Sequence, residues 1–225
     1  ELAYYYPTAV LVTGPDILFF WVARMIMAGQ KFLGQVPFKD VYLTGIVRDK
    51  QGRKMSKSLG NSPDPLDLIE QYGADSLRMG LLFSSPAGND LLFDESQLEQ
   101  GRHFANKLWN AYRLLLSWHE QGPETSTPPP PAGPGVQWFS QRLGQALDEI
   151  ENAYQTYRLS EVIRLIYKLV WDDFCSWYLE MIKGRQDDIN TQKTAYLVLK
   201  NTLKMLHPFI PFVTEELYSY LDGKE

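Results

Sequence analysis

Residues 127 to 135, Thr-Pro-Pro-Pro-Pro-Ala-Gly-Pro-Gly, most limit what this chain can become. Proline fixes φ and carries no backbone donor, so neither a helix nor a sheet ladder runs through such a stretch. The span 121–136 therefore reads as an exposed connection between helices. On both sides of it apolar residues recur every three or four positions. Phe104, Leu108, Tyr112 and Leu115 do so before it; Ile163, Ile166, Val170, Phe174, Trp177 and Met181 do so after it, as do Tyr196, Leu199, Leu203 and Leu206. That period places each set on one face of a helix. The spacing predicts a helix capped by Asp94 that runs to about His119, and a second over 139–157. A third is capped by Ser160, a fourth spans 191–206, and a last helix covers 213–221 after Pro208 and Pro211. Together they make a helical bundle. No internal repeat is visible.

The first third of the chain is organised differently. Ala9 to Thr13 reads as a short buried strand ended by Gly14-Pro15, and Val41 to Leu43 as another ended by Thr44-Gly45. Between them Ile17 to about Phe32 is apolar almost all round, with Arg24 the only charge before Lys31. This describes a helix buried on several sides, capped by Asp16 and closed by Gly34. Strand, helix, strand makes a parallel βαβ unit, and ligands of such sheets lie beyond the carboxyl ends of the strands. Both strands end in Thr-Gly, where a backbone can approach a nucleotide closely. Two strands alone leave an unpaired edge, so disorder or self-association is expected near residues 1–60. Two short helices, 65–72 and 74–83, follow around Gly73, with Pro65 in a first turn.

Between these regions lies a basic loop. Arg48, Lys50, Arg53, Lys54 and Lys57 stand against the single acid Asp49, a local charge of +4 on a chain whose net charge is −5. A concentrated positive patch on an acidic protein suits one specific anion better than a long nucleic acid. Two lysines three apart, with hydroxyls between them in a glycine-flanked loop, can close over a polyphosphate. Cations that meet the charge growing on a leaving pyrophosphate stabilise the transition state more than the ground state. The alternative is a solvated basic loop.

Lys54-Met55-Ser56-Lys57-Ser58 matches, letter for letter, the Lys-Met-Ser-Lys-Ser signature of class I aminoacyl-tRNA synthetases. A strand and a glycine precede it, and Gly60-Asn61 and Asp64-Pro65 follow it, as in that family. The resemblance implies that Lys57 holds the ATP phosphates during adenylate formation, with Lys54 and Ser56 assisting. Gly14-Pro15-Asp16 resembles the family's Gly-x-Asp element, which implies an ATP site of Gly14, Asp16, Gly45 and Lys57, with Asp16 on the ribose. The run Asp16 to Met25 resembles the valine-activating branch more than the isoleucine-activating one. In that branch Trp21, otherwise a core residue, walls the amino-acid pocket. Phe104 to Asn110 and Leu206 to Phe212 resemble the anticodon-binding domain of the valine, isoleucine and leucine enzymes.

The resemblance covers the whole chain. It implies a mixed fold: the C-terminal part of a Rossmann-type α/β catalytic domain (1–62), junction helices (63–97), and an all-α helical-bundle anticodon-binding domain (98–225). The implied parent is a ligase that joins valine to its tRNA through valyl-adenylate. Its partners are ATP with the Mg²⁺ that ATP carries, valine and the tRNA for valine. It is expected to be cytoplasmic and monomeric, with no membrane span. Cys175, the single cysteine, excludes an internal disulfide and fits a reducing compartment. The scattered His103, His119 and His207 suggest no metal site in the protein.

There are departures. The family's His-x-Gly-His is absent, since no two histidines lie three apart. The editing insert and a C-terminal coiled coil are missing too. With a start at Glu1, this implies a piece of a longer enzyme, unable to activate valine alone. Two rivals stay open: an isoleucine enzyme, and a non-catalytic helical RNA-binding module. One further stripe bears on the second. Arg102, Asn106, Asn110 and Arg113 recur at four, four and three, so they share a helix face. Their side chains suit unstacked bases of an RNA loop, or else form an ordinary solvated stripe. Residues 98–225 carry 13 basic and 16 acidic side chains, a net of −3, so such binding would be local and salt-sensitive.

Overall fold

Strand β1 (Thr8–Thr13) and strand β2 (Phe38–Leu43) pair in parallel, with Thr8 opposite Phe38 and Thr13 opposite Leu43. The architecture comes from a computed structural model, which describes residues 1–85, 89–118, 133–185 and 188–221. A single turn, α1 (Leu2–Tyr5), precedes β1. The crossover from β1 to β2 is helical, as the apolar run requires, but it starts irregularly. A 3₁₀ turn covers Pro15–Ile17, a π-helical turn covers Leu18–Val22, and α2 (Ala23–Leu33) follows. Gly34, at φ 69°, closes α2 in the left-handed conformation that glycine adopts without steric cost.

Two expectations for this crossover fail. Asp16 caps no helix: Gly14 precedes the 3₁₀ turn, and Asp16 lies inside it with its side chain turned elsewhere. Nor is the helix buried on several sides. Phe19, Phe20, Met27 and Phe32 are all exposed, and only Val22 and Gly29 are buried along it. A two-stranded sheet is too narrow to cover so much apolar surface.

Strand β3 (Val47–Arg48) pairs in parallel with β4 (Leu91–Leu92), an element to which sequence patterning assigns nothing. Two residues are too few to show alternation. Helices α3 (Pro65–Tyr72) and α4 (Ala74–Ser84) lie between them. Asp64 caps α3 by accepting from the Leu66 amide, with Pro65 at the first helical position.

From Glu95 onward the described residues are helical apart from short turns. The helices are α5 (Glu95–Trp118), α6 (Pro134–Gln155), α7 (Leu159–Lys168), α8 (Leu179–Ile182), α9 (Ile189–Leu206) and α10 (Pro211–Leu221). Asp94 accepts from the Ser96 amide at the start of α5, as its spacing predicts. Phe104, Leu108, Tyr112 and Leu115 are all buried. The proline-rich connection falls for the most part (121–132) outside the described residues. Its last part is not connection, because α6 begins at Pro134: proline suits a first turn, whose amide has no intrahelical partner anyway. Ser160 is not a cap either, since α7 starts one residue before it.

Between α7 and α8 the backbone is π-helical over Leu169–Tyr178. A π-turn takes in one more residue than an α-turn, so the inward face slips along the sequence. Ile163, Ile166, Val170 and Phe174 are buried as the 3.6-residue period demands. Trp177 and Met181 are instead 59% and 45% exposed, and Tyr178, Leu179 and Ile182 take the interior. One apolar core runs through these helices and takes in Met79 and Phe83 from α4. Among the described residues no helix is long and apolar enough to cross a membrane.

Candidate functional site

The carboxyl ends of β1 and β2 lie side by side. The Thr44 amide donates to the Thr13 carbonyl at 2.9 Å, which brings Thr13-Gly14 and Thr44-Gly45 together. Gly14 has open space where a Cβ would be. Gly45 does not: a Cβ there would collide with the backbone of Asn89. Glycine at 45 thus has a packing reason of its own, from the segment that leads into β4.

Beyond β2 the chain makes a narrow hairpin. Arg48 and Lys54 form an antiparallel bridge, the Asp49 amide donates to the Arg53 carbonyl at 2.9 Å, and Gly52 sits at φ 77° in the turn. Asp49 organises it. Its Oδ1 accepts from the amides of Gln51 (3.0 Å) and Arg53 (2.8 Å). Its Oδ2 accepts from Arg53 Nε (2.7 Å) and Asn61 Nδ2 (2.9 Å). The Asn61 hydrogen bond, aided by Arg53 and Gln51, lowers the Asp49 pKa to about 2 despite partial burial. Asn61 Oδ1 accepts from the Ser56 amide at 2.9 Å. Lys57–Leu59 form a 3₁₀ turn that ends at Gly60, φ 62°.

The cations of this loop are largely matched. Arg48 pairs with Asp90, Arg53 with Asp49 at 2.7 Å, and Lys54 with Asp16 at 2.8 Å; Lys50 lies 3.8 Å from Asp94. Hydrogen bonds from the Ile46 amide and Arg48 hold the Asp90 carboxyl below its usual pKa. Four of the five cations therefore each meet a carboxylate, where the local sequence counted one acid. The Lys57 side chain is exposed, and its ammonium has no hydrogen-bond or ion-pair partner among the described residues. Ser56 Oγ and Ser58 Oγ share a hydrogen bond at 2.6 Å. The loop thus offers one unpaired ammonium and two hydroxyls on a braced base, next to the strand ends.

The other expected site residues divide. Lys54 and Asp16 are in contact. Trp21 stands on the π-helical turn, 57% exposed, so it is no core residue of this chain. Arg102, Asn106, Asn110 and Arg113 all lie exposed on α5, away from its buried face. Cys175 is no candidate nucleophile, because burial pushes its thiol up to about 12. Among the described residues no three His, Cys, Asp or Glu side chains form a group able to hold a metal ion. Sequence reasoning missed Asp49 and Asn61 as organisers. Their signal was present: a lone acid amid five bases calls for an internal partner.

Residues 1–94 match the family described as tRNA synthetases class I (I, L, M and V), and residues 136–225 match the anticodon-binding domain of tRNA ligase. Over its whole length the chain is 58% identical to a valine–tRNA ligase of Porphyromonas gingivalis. A valine–tRNA ligase of Carboxydothermus hydrogenoformans, again aligned over the whole chain, is 46% identical. The chain spans about a quarter (26%) of the length of these curated relatives. Among solved structures it resembles the LeuRS of Agrobacterium radiobacter K84, from a ternary complex with tRNA and LeuAMS. The TM-score is 0.78 at 21% identity, over 96% of this chain and 27% of that one. A methionyl-tRNA synthetase of Mycobacterium tuberculosis with methionyl-adenylate gives 0.71 at 18% identity, over 95% of this chain and 44% of that one. At these identities the likeness concerns the fold.

Proposed function

The chain belongs to the class I tRNA synthetases, joining a stretch of their catalytic domain to their anticodon-binding domain, and on that premise we propose that it works within a valine–tRNA ligase. Its share of that enzyme is the mobile phosphate-binding loop, the junction behind it and the surface that reads tRNA. The three regions divide at 1–62, 63–97 and 98–225, the last an all-α bundle. Substrates are valine, ATP with its Mg²⁺, and the tRNA for valine.

The observation that carries this reading is Lys57. In a loop whose other cations are matched by carboxylates, its ammonium is left for a ligand. An ionised valine carboxylate attacks the α-phosphorus of ATP, and pyrophosphate leaves. No general base is required, because the nucleophile is already deprotonated at neutral pH. Lys57 meets the charge that develops on the departing pyrophosphate, where a preorganised cation acts most strongly. Lys54 and Ser56 assist beside it. Asp16 faces the ribose at the end of β1, the open backbone of Gly14 leaves room for the nucleotide, and Trp21 forms a wall of the amino-acid pocket.

The test is valine-dependent pyrophosphate exchange by the full-length ligase carrying this sequence. Lys57→Ala lowers kcat by about 10²–10³, as loss of one charge-stabilising donor does, with the KM for valine little changed. Lys57→Arg is impaired too, since a planar fork places charge differently from a compact ammonium. A Lys57→Ala enzyme with near-normal exchange would sink the assignment.

A further inference from the structure

We propose that Asp49 and Asn61 are positioning residues that clamp both ends of the Lys54–Ser58 loop and thereby set where Lys57 stands. The inference rests on the phosphate-binding reading of Lys57.

Asp49 is only 9% exposed, and both its oxygens are occupied, each by two donors. A carboxylate so saturated has no lone pair left for a substrate proton or a cation. Its partners have one thing in common: they hold the entry to the loop, Gln51 and Arg53, to its exit, Asn61.

Asn61 completes the clamp. Asp49 can only accept, so the Asn61 amide must face it, and this fixes the Asn61 carbonyl toward the Ser56 amide at 2.9 Å. The same amide nitrogen lies 3.4 Å from the Lys54 carbonyl. The backbone on both sides of Met55 is thus tied to a residue four positions past Lys57. Between the ties stands only the 3₁₀ turn that carries Lys57, ended by the left-handed Gly60. The side chains of the tip make only exposed contacts among the described residues, Lys54 with Asp16 and Ser56 with Ser58. The base is therefore fixed while the tip can move. This division suits a cation that must arrive at one place when charge develops, because catalytic groups lose effect when their supports loosen.

The experiment compares Asn61→Ala and Asp49→Asn with Lys57→Ala in the full-length ligase, by pyrophosphate exchange and thermal melting. Each clamp variant is expected to lose about tenfold or more in kcat, with the KM for valine within about twofold. Amide exchange at Arg53 and Ser56 is expected to quicken. Asn61→Ala added to Lys57→Ala is expected to cost little more, because Asn61 acts through Lys57. A clamp variant with wild-type kcat, beside a crippled Lys57→Ala, overturns the clamp and spares the function. Full additivity in the double variant, or a parallel rise in the KM for valine, also overturns it. Asn61→Asp is the second variant should Asn61→Ala melt early. It keeps the acceptor for Ser56 but sets a carboxylate against Asp49, and the same kcat loss is expected. A Lys57→Ala enzyme with near-normal exchange instead removes the functional reading itself.

Discussion

Lys54 and Asp16, 38 residues apart, meet at 2.8 Å where strand β1 ends. One belongs to the proposed phosphate loop and the other to the proposed ribose contact, so the two halves of the proposed nucleotide site touch directly. Both side chains are more than half exposed, and exposed pairs contribute about 1 kcal/mol or less. A nucleotide can therefore displace Lys54 from Asp16 at small cost.

The first prediction separates the two uses of Asp16. Asp16→Asn leaves the denaturation midpoint of the chain nearly unchanged, because the lost ion pair is exposed. In the ligase the same change raises the KM for ATP about tenfold, the scale of one charge-assisted hydrogen bond, and leaves the KM for valine alone. An unchanged KM for ATP would remove the ribose contact and leave Asp16 as a partner for Lys54 only.

Trp21 gives a second, contrasting case. A buried tryptophan truncated to alanine costs about 3–5 kcal/mol, but Trp21 is 57% exposed and supports little of this chain. Trp21→Ala is therefore expected to leave urea denaturation of the chain nearly unaffected, while in the ligase it raises the KM for valine far more than that for ATP. Equal effects on both constants would rule out the pocket. Discrimination against threonine stays modest either way, since a hydrophobic pocket rejects an added hydroxyl poorly.

How far these roles were legible depends on sequence distance. The helices of the second half follow from local period, with Asp94 the one predicted cap that holds, and Phe104, Leu108, Leu199 and Leu203 are buried as their spacing requires. The basic loop was legible as a motif but not as a charge distribution. Asp16, Asp90 and Asp94 reach it only through β1 and the β3–β4 pairing, and the second of these is two residues long. The inward face at Trp177 and Met181 was misread because a π-helical stretch leaves no mark in a 3.6-residue pattern. The exposure of Phe19 and Phe20 was misread because apolar composition states what a helix can bury, not what stands beside it to be buried against.

Helix α5 provides the third prediction. Arg102 and Arg113 are exposed on it, whereas Leu108, on its other side, is fully buried. Arg102→Ala and Arg113→Ala leave the melting temperature unchanged and weaken binding of the tRNA for valine, more so at low salt. Leu108→Ala costs about 2–5 kcal/mol of stability. Fluorescence titration with that tRNA, and with a transcript altered at the middle anticodon base, reads the outcome. Equal affinity for both transcripts, or no loss in either arginine variant, would show this face to be plain surface.

The last prediction concerns how α10 is held against α4. Asp75 on α4 is buried, and its two oxygens accept from the Phe212 amide (3.2 Å) and the Val213 amide (2.6 Å) in the first turn of α10. These amides have no intrahelical partner, and a carboxylate there also meets the positive end of the helix dipole. One turn along α4, Arg78 donates through Nε to the Phe209 carbonyl (2.9 Å) and through a terminal nitrogen to the Pro208 carbonyl (3.0 Å). The Pro208–Pro211 break is thus gripped on both sides, its carbonyls by a cation and the helix that follows by an anion. Asp75→Ala removes the acceptor of two part-buried helix amides, the loss of a cap, and is expected to cost about 1 kcal/mol in urea denaturation. Asp75→Asn keeps one acceptor oxygen and should cost less. Asp75→Ala combined with Arg78→Ala should fall short of the sum of the two, since both act on one segment. A strictly additive pair would show that the cap and the carbonyl grip stabilise α10 independently.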